Sequence, residues 1–560
     1  MHLINLSAKM IIQSLLIFLF SGCGQKQSAD LIVIGNIYTM NADQPSAEAV
    51  AIKNGEILFV GSRKTAEGYK RFSTKVFEVP NGMVLPGFID THVHLLWGGL
   101  EATECDLHDL ISAEEIYTVI SNYIKSRPGE DWVRGGGWEV PVFPGGNPRK
   151  EWLDIIEPDR PVILYSADGH SAWVNSKSLE LAGVDRQTPD PLNGRIERDP
   201  DTAEPSGILR EGAMMLVGKF LPAYSKKQIE TGLINAAQTA NRFGVTGILD
   251  AGIGEIDGLY AYRNLSRSKK VNLRISASQY AEPADWRKDL EKIKTLRFID
   301  KNCRMNTVKL FADGVIEGRT AALLEPYLGT EDRGILNWHP DSMNSAIAAF
   351  DKAGFQVHVH AIGDRGIRTT LDAFEYAQDI NGPSDKRHMM SHIQLIHPND
   401  QPRFNELGIT ASFQSLWAYP DDYITQMTVP VLGPQRSEWL YPIGSVDKTG
   451  AHITGGSDWT VSSLNPLDAV EVAVTRREPG EHKGDALLPS EAVGLSTMLK
   501  AYTIGGAYSL FLEDMVGSIQ AGKRADIIFL DRNLFSIPSH EIHSAKVTHT
   551  FFDGKLIYEK

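Results

Sequence analysis

Short apolar runs ending in a polar residue recur along this chain, and most are followed by a stretch with helical spacing. Eight such runs lie at residues 83–92, 245–251, 273–280, 307–312, 355–360, 388–393, 409–414 and 451–458. Apolar runs of this length between turn residues read as strands. Strands alternating with helices pair in parallel, and eight such units predict a closed, TIM-like (β/α)8 barrel. The interval between the first and second runs is far too long for one crossover helix. Residues 101–225 therefore read as an inserted subdomain, since a structureless loop of that length does not suit a compact domain.

The two ends of the chain have a different texture. Residues 31–34, 49–52 and 57–60 alternate as short strands, with Lys53-Asn54-Gly55 as a hairpin turn, and residues 525–530, 547–552 and 556–558 repeat the style around Asp553-Gly554. Neither group has enough strands for a core of its own. Together they predict a small β-sandwich formed from both termini. The expected division is 1–23 as signal, 30–82 as the first part of the sandwich, 83–100 as the first barrel strand, 101–225 as the insert, 226–512 as the rest of the barrel and 513–560 as the second part of the sandwich.

Hydrophobic content of 42% and charged content of 22% are those of a folded globular protein. The formal charge of −14 repels phosphates, which argues against a nucleic-acid partner. Lys9 precedes an apolar run at 10–20 that is short for a membrane span and is followed by Ser21, Gly22 and Cys23. This segment resembles a bacterial lipoprotein signal. It implies export to the periplasm or cell envelope and a lipid anchor at Cys23, the only membrane contact expected; a plain secretory signal is the alternative. Cys105 and Cys303 then remain, and they read as buried thiols.

The C-terminal strand ends of a parallel barrel form its active face. There the runs place His92 and His94, Lys309, His360, His392 and Asp458. His92 and His94, two apart on a strand, point to one side. A lone strand-end histidine is more often a satisfied core residue, but imidazoles and a carboxylate gathered in this number suit zinc or a similar divalent ion. His358 shares a face with His360, so one of the two reads as a supporting residue; His388 reads as a core or loop histidine. Lys309 lies in an apolar run that depresses its pKa, leaving two solutions: a carbamate able to bridge two metals, or an ion pair with a carboxylate such as Asp313. Asp458, after Gly455-Gly456-Ser457, is the natural general base for water activated by a metal.

The run Pro86-Gly87-Phe88-Ile89-Asp90-Thr91-His92-Val93-His94, with His360-Ala361-Ile362-Gly363-Asp364, Ser391-His392-Ile393-Gln394 and Gly456-Ser457-Asp458-Trp459, resembles the amidohydrolase superfamily. Gly136-Gly137-Trp138, Asp168-Gly169-His170-Ser171-Ala172-Trp173-Val174-Asn175 and Asp313-Gly314 through Arg319-Thr320-Ala321 resemble its family 3 branch, which contains N-substituted formamide deformylase and related exported hydrolases. Ser391 and Ile393 stand where that branch more often has Glu and Ala. The resemblance implies a distorted barrel beside a β-sandwich, with one or two divalent ions, zinc first and manganese or iron as alternatives. It implies His92, His94, His360, His392 and Asp458 as ligands, Lys309 as the bridge where it is carboxylated, and Trp138, His170 and Arg319 as substrate contacts.

The expected activity is hydrolysis of a carbon–nitrogen bond other than a peptide bond in a small molecule, by attack of metal-activated hydroxide on an amide carbonyl with Asp458 carrying the proton. An ester, a cyclic amide or a deaminable ring is the alternative substrate at the same site. A non-catalytic anchored binding protein is the alternative of a different class. Oligomeric state is left open, a homo-oligomer included.

Overall fold

The computed structural model describes residues 28–254 and 256–560. The signal-like segment with Lys9 and Cys23 lies outside the described residues. Among the described residues no helix is long and apolar enough to cross a membrane.

The eight runs become neighbouring parallel strands in chain order: Phe88–Val93, Val245–Ile253, Arg274–Tyr280, Cys303–Phe311, Gln356–Ala361, Met389–His392, Thr410–Phe413 and Ile453–Gly455. Most of their residues are buried, which is why they read as apolar runs rather than as alternating ones. Helices between them bury one stripe each, as Ile367, Leu371 and Phe374 do on Asp364–Asn381. First and eighth strands meet through side chains and strand ends. The Thr91 hydroxyl lies 2.9 Å from that of Thr454 and 3.0 Å from the Gly455 carbonyl, and the Asp458 N–H donates to the His92 carbonyl at 2.7 Å. These contacts bring the first and last strands of a nearly closed barrel together at its functional end.

The first run divides in two. Residues 83–86 end the strand Lys75–Pro86, which pairs with Ile527–Leu530, and the barrel begins after Gly87. A Cβ on Gly87 would stand 2.2 Å from Thr246 Oγ1, so the chain passes between the two sheets at a point that has no room for a side chain. The boundary expected at 83 therefore falls at 87.

The terminal strands form one seven-stranded sheet in the order Lys555–Glu559, Val547–Phe552, Ile527–Leu530, Lys75–Pro86, Leu31–Tyr38, Ser46–Lys53, Glu56–Gly61. Its sandwich character comes from a bend. Phe529 pairs with Val84, seven residues beyond Phe77, a span of about 23 Å if extended. Yet the Phe77 ring lies 6.0 Å from Phe529 and 5.4 Å from Phe551. The strand therefore folds near Pro80-Asn81-Gly82, and residues from both arms, among them Val33, Val50, Phe529 and Phe551, share one core.

Arg274, fully buried at the start of the third barrel strand, joins this sheet to the barrel. Its guanidinium donates to Asp526 at 2.9 and 3.0 Å and to Asp553 at 2.6 Å, and also to the Asn302 side chain. Arg274→Ala leaves the Asp526 carboxylate buried without a counter-charge. It is expected to lower stability by about 3–5 kcal/mol in denaturant unfolding; a loss below about 1 kcal/mol would show that the pair does not hold the two parts together.

The insert is a folded lobe with a six-stranded sheet in the order Gly194–Arg198, Pro205–Glu211, Ser171–Val174, Val162–Ser166, Val133–Trp138, Cys105–Asp106. Trp138, Trp173, Leu164 and Ile208 lie in its core. The chain re-enters the barrel through the helix Lys226–Arg242, started by a capping box between Ser225 and Gln228. Cys105 and Cys303 are free and buried, in the lobe and the barrel respectively.

Candidate metal centre

The C-terminal strand ends bring His92, His94, His392 and Asp458 together. Asp458 Oδ1 lies 3.3 Å from His92 Nε2 and 3.2 Å from His94 Nε2, and its Oδ2 lies 3.9 Å from His392 Nδ1. One ligand atom from each of His92, His392 and Asp458 lies within 4.8 Å of the other two. His392 and Asp458 have φ of 74° and 53°, a left-handed backbone that non-glycine residues rarely adopt. Such strain persists where the surroundings over-determine it, and it clusters at functional sites.

The electrostatics suit a cation. Burial holds His92 at about 3, and burial likewise depresses His358, His360 and His392, so these imidazoles are neutral and free to ligate. Burial pushes the Asp458 carboxyl up, but the neighbouring histidines, His92 foremost, outweigh it and hold the group well below the usual carboxylate range. Two buried atoms facing this space, Asp458 Oδ1 and His392 Nδ1, have no hydrogen-bond partner among the described residues. A carboxylate oxygen and an imidazole nitrogen left open side by side, with further imidazoles around them, are the donor set of a zinc-type ion.

Each expected residue can now be placed. His360 Nε2 lies 3.3 Å from the Gly314 carbonyl, and its ring lies 4.5 Å from that of His392, at the edge of the group. His358 is the supporting histidine: its Nε2 is 3.1 Å from His92 Nδ1, which leaves His92 Nε2 facing Asp458. His388 bonds Asp351 and stacks on Phe374, away from the group. Burial lowers Lys309 to about 7, and its Nζ stands 3.5 Å from His92 Nε2. It has no carboxylate within ion-pair distance among the described residues. Asp313, the alternative partner, instead accepts the N–H groups of Ile362, Gly363 and Ala322 at 2.9–3.0 Å.

His170 reaches the group from the inserted lobe. Its ring lies 5.1 Å from that of His360, and its Nδ1 is 2.9 Å from Glu211 Oε2, whose other oxygen accepts the Thr320 hydroxyl at 2.7 Å. Burial would lower the His170 pKa, but Glu211 outweighs it and raises the value to about 9. The other two expected substrate contacts lie as follows. Trp138 is fully buried among Phe143 and Trp173, and its Nε1 donates to the Leu164 carbonyl at 2.9 Å, so it is a core residue of the lobe. Arg319 is exposed on the loop after the fourth barrel strand, and its side chain has no hydrogen bond or ion pair among the described residues.

Glu211 and Gln414 were not singled out in the sequence. Glu211 acts 41 residues from His170 and gives no local signal. Gln414 ends the seventh run, and the strand-end criterion that selected Asp458 would have found it. Around the histidines stand half-buried rings: Phe311 lies 4.9 Å from His360, Tyr280 lies 5.9 Å from Phe311, and Trp417 stacks on His392 at 5.4 Å.

The sequence pattern of the amidohydrolase family matches residues 76–558. The chain belongs to this family. As an amidohydrolase it is similar over nearly its whole length to proteins with diverse names. It is 33% identical to Protein LONG AFTER FAR-RED 3 of Arabidopsis thaliana, with 95% of this chain and 92% of that protein covered. It is 26% identical to N-substituted formamide deformylase of Arthrobacter pascens, with 95% and 99% covered. Among solved structures, an uncharacterized metal-dependent hydrolase from Pyrococcus furiosus superposes with a TM-score of 0.69 at 27% identity, covering 90% of this chain and 99% of that one. This amidohydrolase thus has the fold of metal-dependent hydrolases.

Proposed function

We propose that this amidohydrolase cleaves a carbon–nitrogen bond other than a peptide bond, an amide of a small molecule, with a divalent ion that is zinc by the chemistry of its donors. The observation that carries the reading is the pair of open acceptors, Asp458 Oδ1 and His392 Nδ1, buried among neutral imidazoles. The similarity to N-substituted formamide deformylase supports the choice of an amide.

In this reading His92, His94, His392 and Asp458 would hold the ion, and a carboxylated Lys309 and His360 would supply ligands for a second one. The ion supplies Lewis acidity and lowers the pKa of a water molecule. Asp458 Oδ1 faces His92 and His94, which leaves Oδ2 to take the proton from the attacking water and return it to the departing nitrogen. His170, fixed by Glu211, donates to an oxygen of the substrate from the lobe side. Phe311, Tyr280 and Trp417 offer an apolar group on the substrate a contact face. The segment at 9–23 would export the chain to the periplasm or cell envelope and anchor it by lipid at Cys23.

Protein purified without its signal segment and without added metal is expected to carry about two equivalents of divalent metal with Lys309 carboxylated, or about one with Lys309 unmodified, by elemental mass spectrometry. A panel of formamides, other amides, cyclic amides, deaminable rings and esters then tests the reaction. Turnover confined to esters would overturn the carbon–nitrogen assignment.

A further inference from the structure

We propose that Gln414 is a positioning residue for the metal centre, acting through the backbone of His392. Gln414 is fully buried and directly follows the seventh barrel strand, Thr410–Phe413, which supplies none of the proposed ligands. Its Oε1 accepts the His392 N–H at 2.9 Å. His392 and Ile393 both have left-handed backbones, with φ of 74° and 52°. Two consecutive non-glycine residues of this kind hold their shape only where other groups enforce it.

The bonds that enforce it are few. The Ile393 N–H donates to the Ala361 carbonyl at 3.0 Å and to the Ser391 carbonyl at 3.1 Å, and the His392 N–H has the Gln414 side chain. With the N–H of His392 fixed, its Cα–Cβ direction is fixed too, and Nδ1 stays within 3.9 Å of Asp458 Oδ2. The other end of the carboxamide packs where the first and eighth strands meet. A Cβ on Gly456 would lie 2.6 Å from His92 Cβ and 2.9 Å from Gln414 Nε2, so glycine lets the amide lie against the turn that carries Asp458. Gln414 Nε2 is buried and has no hydrogen-bond partner among the described residues, a cost that calls for a reason to keep this side chain.

The inference rests on the reading that these residues hold a divalent ion, and not on which bond is cleaved. Its test is zinc affinity of the full mature chain, measured by competition with a chromogenic chelator, with thermal unfolding of the metal-free proteins alongside. Gln414→Met keeps the volume and removes the acceptor; its affinity should fall by about 10–100-fold, the range for loss of a ligand-orienting group. Gln414→Glu keeps an acceptor oxygen in the same place and should stay within about threefold of the native protein. A Gln414→Met protein that binds zinc like the native one, or a Gln414→Glu protein that loses as much as Gln414→Met, overturns the proposal. If Gln414→Met does not fold, Gln414→Glu decides alone: retained affinity supports the role and lost affinity overturns it. A native protein that binds no divalent ion would overturn the metal reading, and this inference with it.

Discussion

Asp458→Asn is expected to lower kcat by about 10²–10⁴-fold, the usual contribution of a positioned acid–base group. The amide matches the carboxylate in size and keeps one oxygen to face His92 Nε2 and His94 Nε2, which now lie 3.3 and 3.2 Å away, so the fold and part of the metal affinity should survive. What the amide cannot do is accept a proton at neutral pH. Asp458 can: its neighbours hold the carboxyl well below the ordinary range against the opposing effect of burial, so it is ionised when water must be deprotonated. Steady-state kinetics on the best substrate, with metal content measured on the same sample, separates the two effects. Near-normal turnover in a metal-loaded variant would remove Asp458 from the proton path.

Removal of the ion by a strong chelator should take activity to background, and zinc alone should restore it. The group offers imidazole nitrogens and a carboxylate that has no Lys or Arg ion pair among the described residues, and it sets open acceptors next to one another. The metal-free chain should therefore also be less stable, by about 2.7 kcal/mol relative to protein with zinc at a hundred times its dissociation constant. Thermal unfolding at a series of zinc concentrations reads this directly. Activity that persists after complete loss of metal would exclude the proposed mechanism.

The barrel and the core of its centre were legible because parallel strands buried on both faces lose the two-residue alternation, so a polar residue at the end of an apolar run stands out. His92, His94, His392 and Asp458 were visible for that reason. Trp138 misled because its setting looks like a binding motif. The three glycines before it serve packing: a Cβ on Gly135 would lie 2.1 Å from the Cys105 carbonyl oxygen, one on Gly136 2.3 Å from Glu101, and one on Gly137 2.4 Å from the His108 ring. Asp313 offered the right charge for Lys309 at the right distance in sequence, but three backbone N–H groups of neighbouring loops claim it. Glu211 ends one strand of the lobe and His170 lies in the turn before another, so they meet only when the lobe folds, and no local pattern announces such a pair. The bend that folds the terminal strand at 80–82 was equally hidden, since it shows only in where Phe77 ends up.

The terminal sheet also sets an order on the birth of the molecule. Residues 83–86 lead through Gly87 straight into the strand that carries His92; one partner in the sheet is Leu31–Tyr38 and the other is Ile527–Leu530, beyond which lie Val547–Phe552 and then Lys555–Glu559. During synthesis the first barrel strand and one neighbour of its leading segment, Leu31–Tyr38, come early, whereas the other neighbour, Ile527–Leu530, comes late. Until residue 527 is added, the segment that leads to His92 is paired on one side only, with Leu31–Tyr38. Addition of Ile527–Leu530 thus closes the sheet on the other side of that segment, and any fusion after Lys560 must leave Lys555–Glu559 free to join the sheet.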